Sequence, residues 1–281
     1  MLRAVPVFAC LFLRACFCVA SRVRNTSKFF GHAPLRWFTA SAVTLEDMQP
    51  LDFGLMIFEF VVLLLALSLH DCAQAWAANR LGDPTARMTG RMSMNPAQHF
   101  DLFGTAIFPI IYLLRSPPVV LAWSKPVPMT SRNFRNMKRD EILALLAGPA
   151  AQLLAATVAL VVLVVMRHVD PSTAPALLTA SALAMHYPGV STVDLPSVFP
   201  FILFLYFCIF VNLLLFVFNL IPFPFFDGGR ILLNYLPYNA AQAFQRYSLY
   251  FMIGFFFFGF GIIMLFFGPL MSIFNRLLFH L

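Results

Sequence analysis

Long apolar stretches, separated by basic connections rich in proline and glycine, set the pattern of this chain. The first covers residues 53–81, and its centre (60–69, FVVLLLALSL) carries no charge before His70 and Asp71. Residues 142–166 are uncharged throughout, residues 198–221 form another apolar run that ends at Pro222 and Pro224, and residues 247–275 form a last uncharged stretch dominated by phenylalanine. Each is long enough for the roughly 20 residues that a helix needs to cross a hydrocarbon core about 30 Å thick. Residues 102–114 (LFGTAIFPIIYLL) are apolar too, but as a helix they would rise only about 20 Å. Holding Gly104 and Pro109, they predict a re-entrant or partly extended segment. The polar stretch 82–99, with two glycines and two prolines, reads as a loop with room for short strands.

The start of the chain breaks this pattern. Residues 4–13 are an apolar run behind Arg3, too short to span, and Arg14, Arg22, Arg24, Lys28 and Arg36 follow with no acidic residue before Ser41. This predicts a targeting-like or mis-started segment over residues 1–45, with residues 46–281 forming one integral membrane domain.

Composition turns the pattern into a class. Hydrophobic residues make up 60% of the chain and charged ones 11%, against about 25% charged in a soluble domain, so most water-soluble folds are excluded and the lipid bilayer is the first partner. The net charge of +7 does not point to nucleic acid, because the basic residues cluster in loops between spans, as the positive-inside rule expects. Arg115, Lys125, Arg132, Arg135, Lys138 and Arg139 place the loop 115–141 on the cytoplasmic side. The cysteines form no paired framework and no C-x-x-C site.

Ionisable groups at membrane depth are costly and point to function. His70 and Gln74 lie four apart, on one helix face, with Asp71 beside His70. That is the spacing of H-E-x-x-H, in which two histidines bind zinc and the glutamate acts as general base; taken alone, the string His70-Asp71-Cys72-Ala73-Gln74 favours a buried structural histidine. A second locus lies at the end of the apolar run 198–221, where Asn212 and Asn219 precede Pro222, Pro224 and Asp227-Gly228-Gly229-Arg230. Prolines free backbone carbonyls there, which a membrane tolerates only inside protein or beside a wet cavity. Asp227 fits equally a metal ligand and a loop-initiating aspartate before a glycine turn.

Four blocks together resemble the site-2 protease family of intramembrane zinc metalloproteases, especially its small bacterial members. They are His70 to Gln74 followed by Gly82-Asp83-Pro84-Thr85-Ala86; Gly90-Arg91 through Asn95-Pro96, His99, Asp101 and Gly104; Lys125-Pro126-Val127-Pro128 with Asn133-Phe134-Arg135-Asn136 and Ala147-Gly148-Pro149; and Phe218-Asn219 to Asp227-Gly228. The resemblance implies an all-α polytopic bundle of four to six membrane segments in a bacterial cytoplasmic membrane. It implies one zinc ion on His70, Gln74 and Asp227, with Asp71 in the base position and Asn212, Asn219 and Gly228 supporting the site. Implied partners are transmembrane proteins, as substrates to be cut or, in a pseudoprotease, as clients to be held. Three positions depart from the family: Gln74 stands for a histidine, and an amide oxygen is a poorer zinc donor than imidazole; Asp71 stands for a glutamate and is shorter by one methylene; and Gln152 stands where the family usually has asparagine after Ala-Gly-Pro.

Overall fold

The computed structural model describes residues 50–107, 122–185, 187, 190–192 and 195–280, apart from the side chains of 50–53, 256–258 and 260. All of these lie in one compact unit, Thr44–Leu281. The expectation for residues 1–45 lies outside the described residues, as does the second half of the apolar segment 102–114.

The described residues are helical, with extended connections and no strand. Helix α1 is Pro50–Leu81, α2 Met137–Val169, α3 Ala174–Ala184, α4 Phe199–Leu220, α5 Asp227–Leu233, α6 Tyr238–Arg246 and α7 Ser248–His280. Four of them are long and apolar enough to cross a membrane, at Gly54–Leu81, Met137–Val169, Phe199–Leu220 and Gly261–His280. These match the four long apolar stretches, and the protein is an integral membrane protein of the expected all-α class. The possible short strands in 82–99 are instead a helical turn, Thr85–Met88, and a tight turn, Pro96–Gln98. The start of the segment 102–114 is a wide helical turn, Leu102–Ile107.

Helix α4 is the centre. Its side chains from Ile202 to Phe218 are buried nearly all round, as expected of a helix apolar on every face, and α1, α2, α3 and α7 pack against it. By contrast, α2 turns Leu154, Val158, Val161 and Val165 outward, a stripe at helical spacing that suits acyl chains. Lipid is as apolar as leucine, so close packing of rings such as Phe58 on Phe207 and Phe210 on Phe267, rather than escape from water, holds this core.

Three elements were not readable as helices, among them α5, which reads as a glycine turn. The short α3 buries Ala176, Leu177, Ala180 and Leu183 against α4, too briefly to register as a span. The nine-residue α6 is amphipathic and buries only Phe244.

Candidate functional site

Two features of α2 shape the site. Gly148 lies where a Cβ would come within 2.4 Å of His70 Nε2, so the imidazole of α1 rests directly on the backbone of α2, and only glycine leaves it room. Pro149 follows inside the helix. Lacking an N–H, it cannot bond the carbonyl four residues before it, which is that of Leu145. That freed carbonyl accepts from Gln74 Nε2 at 3.1 Å, so a buried backbone group that proline leaves unpaired is satisfied by α1.

Asp227 arrives from the other side. Pro222 and Pro224 end α4, and the chain turns back through bonds from Phe223 N to Ile221 O and from Phe226 N to Phe223 O, so that α5 begins at Asp227. A Cβ on Gly228 would lie 2.3 Å from Leu220 O and one on Gly229 1.7 Å from Phe223 O. The two glycines therefore let α5 fold onto the end of α4, which brings the carboxylate to α1.

The polar groups meet in one chain of contacts. Gln74 Nε2 donates to Asp227 Oδ2 at 2.8 Å as well as to Leu145 O. Asp227 Oδ2 is 2.9 Å from His70 Nε2, and His70 Nδ1 is 3.1 Å from Asp71 Oδ1. The other oxygen of Asp71 lies 3.0 Å from His99 Nδ1 and 3.5 Å from the Arg91 guanidinium. His99 Nε2 bonds Ser93 O at 2.7 Å, and Arg91 donates to the carbonyls of Gln98 and Lys125. All of these side chains are buried.

Of the residues expected in the site, His70, Asp71, Gln74 and Asp227 are brought together, and Asn219 shares the wall of the same cavity. Asn219 donates to Gln152 Oε1 at 3.4 Å. Asn212 bonds back to Cys208 O, one turn earlier on α4, and does not line the cavity. Arg91 and His99 stand in the second block of the resemblance, but their clamp on Asp71 could not be read, since a polar loop has no periodicity that marks which residues turn inward. The carbonyl that Pro149 frees was not read either, although a proline inside a long uncharged run is a signal that could have named it.

The cavity holds about 930 Å³. His70, Asp71 and Gln74 form one wall, and Asn219, Asp227 and Arg230 another, while Trp123, Ser124, Pro126 and Val127 of the extended segment 122–130 and the rings of Phe218, Phe223 and Phe226 enclose them. Such a chamber can shield polar chemistry from lipid and admit an unwound peptide.

The donor set can be compared with a metal's needs. His70 Nε2 is buried, makes no hydrogen bond and faces the Asp227 oxygen, so imidazole and carboxylate fit a divalent cation between them. Gln74 in its present bonding adds a proton rather than a lone pair. Among the described residues no three His, Cys, Asp or Glu side chains gather as a metal site.

Comparison with known proteins gives the family of the chain. The pattern of peptidase family M50 matches residues 58–260. The protein named “Putative zinc metalloprotease YwhC” of Bacillus subtilis (strain 168) is 30% identical over 184 residues, which cover 66% of this chain and 71% of that one. No solved structure matches.

Proposed function

The chain belongs to peptidase family M50, and from that premise we propose that it is an intramembrane metalloprotease, cutting peptide bonds in or near the transmembrane segments of other membrane proteins. The observation that supports this best is the convergence of His70, Asp71 and Asp227 from α1 and the start of α5 on one cavity at membrane depth. A bacterial cytoplasmic membrane is its proposed location.

His70 and Asp227 would hold a zinc ion, with Gln74 in the third ligand position of the family's register. Zinc bound there supplies a polarised carbonyl and a bound water of lowered pKa. The remaining work falls to the chain. Asp71 stands in the base position, and His70 on one oxygen with His99 and Arg91 on the other hold it rigid. Phe218, Phe223 and Phe226 keep lipid and bulk water from the polar wall. A client segment would have to unwind to enter, since a peptide bond within a helix is covered by its own side chains.

The Gln74 amide favours a second reading, in which the cavity holds a transmembrane segment without cutting it. Proteoliposomes containing the full chain, zinc and a single-span peptide separate the two by mass spectrometry. Cleavage within or beside the span, absent with Asp227→Ala, is the expected result. An intact peptide that copurifies with the protein would replace the first reading by the second.

A further inference from the structure

Gln74 stands where the family's register places a ligand, but its surroundings ask for something else. Its amide nitrogen touches two oxygens, that of the Leu145 carbonyl at 3.1 Å and Oδ2 of Asp227 at 2.8 Å. A backbone carbonyl only accepts hydrogen bonds, and so does an ionised carboxylate. Exchanging the amide's nitrogen and oxygen would therefore set oxygen against oxygen at both contacts, which fixes the orientation that coordinates alone leave to assignment. Both amide protons are committed. The Leu145 acceptor is not incidental either, because Pro149 at the fourth position after it removes the helix's own donor.

We propose that Gln74 is a latch and not a ligand: its two amide protons tie the Asp227 carboxylate of α5 to the carbonyl that Pro149 frees in α2. This rests on the reading of the cavity as a cation site and changes what that site can hold. A histidine at position 74 could keep the outer bond through one ring N–H and turn the other nitrogen inward, the usual arrangement of a metal-ligating histidine. Glutamine keeps the outer bond but spends its inner group on Asp227. The site then offers a cation only His70 and Asp227, and zinc must compete with the latch for the Asp227 oxygen. Loading becomes weak and dependent on supply.

Competition titration of zinc against a chromophoric chelator, on the full chain in detergent, tests this with three proteins: the natural chain, Gln74→Met and Gln74→His. A latch predicts that Gln74→Met binds zinc at least as tightly as the natural chain, and that Gln74→His binds at least about 100-fold more tightly, the order expected from adding one imidazole ligand. A tenfold or greater loss in Gln74→Met, with helical content and thermal stability unchanged, would make Gln74 a ligand and overturn the proposal. So would a Gln74→His variant no tighter than the natural chain. Pro149→Ala gives a second route, since the restored N–H at 149 competes for Leu145 O and loosens the amide. The latch predicts unchanged or tighter zinc binding there, and a tenfold loss in a folded variant counts against it. Failure of the protease reading shows differently: Gln74→His would bind zinc tightly and still leave the single-span peptide uncut.

Discussion

Two polar clusters lie within a few turns of each other along the chain, and they are finished in opposite ways. Just beyond α1, Asp83 is fully buried and its carboxylate accepts from Thr85 N at 3.1 Å, the Thr85 hydroxyl, Thr130 N at 2.7 Å and Asn133 Nδ2 at 2.9 Å. Every donor that meets it comes from the connections that frame the cavity. The cluster around His70 is buried throughout, yet His70 Nε2, His99 Nδ1 and Arg91 Nε are left without a hydrogen bond, although carboxylate oxygens lie within 3.0 Å of the two imidazole nitrogens. Buried polar groups are normally paired, and the exceptions ask for a reason. A closed knot serves the fold, whereas His70 Nε2, held close to Asp227 without a hydrogen bond to it, is available to something that arrives.

The largest effect should come from breaking the closed knot. Asp83→Ala takes the shared acceptor from four donors, of which those of the exposed Thr130 and Asn133 can turn to water, and we expect it to lower stability in detergent by about 2–4 kcal/mol. Asp227→Ala should cost no more than about 2 kcal/mol, the penalty of an unsatisfied Gln74 amide. Equal losses in chemical denaturation would dissolve the contrast between the clusters.

The same knot sets a pH dependence. Burial alone would raise the Asp83 carboxyl, but the hydrogen bonds from Thr85, Asn133 and Thr130 outweigh it and hold the group below its ordinary value of 3.8. A carboxyl lowered in the folded state stabilises fully above that ordinary value, and its contribution is lost as pH falls through the lowered one. Thermal unfolding followed from pH 6 downward should therefore show a steeper drop in the acid range for the natural chain than for Asp83→Ala. Parallel curves for the two proteins would contradict this.

Gly148→Ala sharpens the open side of the comparison. The added methyl would sit 2.4 Å from His70 Nε2, so the ring must shift. We expect about 1–3 kcal/mol of overpacking strain and a fall in zinc affinity of about 10–100-fold, as when a ligand's support is lost. Unchanged zinc binding would mean that the ring does not need its seat on α2.

Asn212→Leu should do least. The Asn212 side chain serves only the Cys208 carbonyl of its own helix and buries an unsatisfied Oδ1, so a change within about 1 kcal/mol of zero and unaltered peptide cleavage are expected. A loss of cleavage would return Asn212 to the site.

How far the sequence could be read follows from the physics of each part. The four long helices were legible because a bilayer demands length and apolarity from each by itself. The helices α3 and α6 were not, since their stability comes from α4 and from Phe244 packing rather than from any property of their own residues. His70 stood out as an ionisable group in an apolar run and Gln74 by its helical spacing from it, but only the family resemblance joined them to Asp227, because spacing within one helix says nothing of a residue that arrives from another. The direction of the Gln74 amide did not stand out, because Pro149 on a different helix decides it. The clamp of Arg91 and His99 on Asp71 was likewise hidden in a loop whose fold depends on pairing with the segment 122–130, as in the bond from Lys125 N to His99 O.

The most direct test of the account is whether the open cluster is where a cation binds. Elemental analysis of purified Gln74→His protein, alone and combined with His70→Ala or Asp227→Ala, answers it. The account predicts one zinc per chain in the single variant and a near-complete loss in both combinations. Zinc retained in either combination would place the ion elsewhere and contradict the assignment of this cluster.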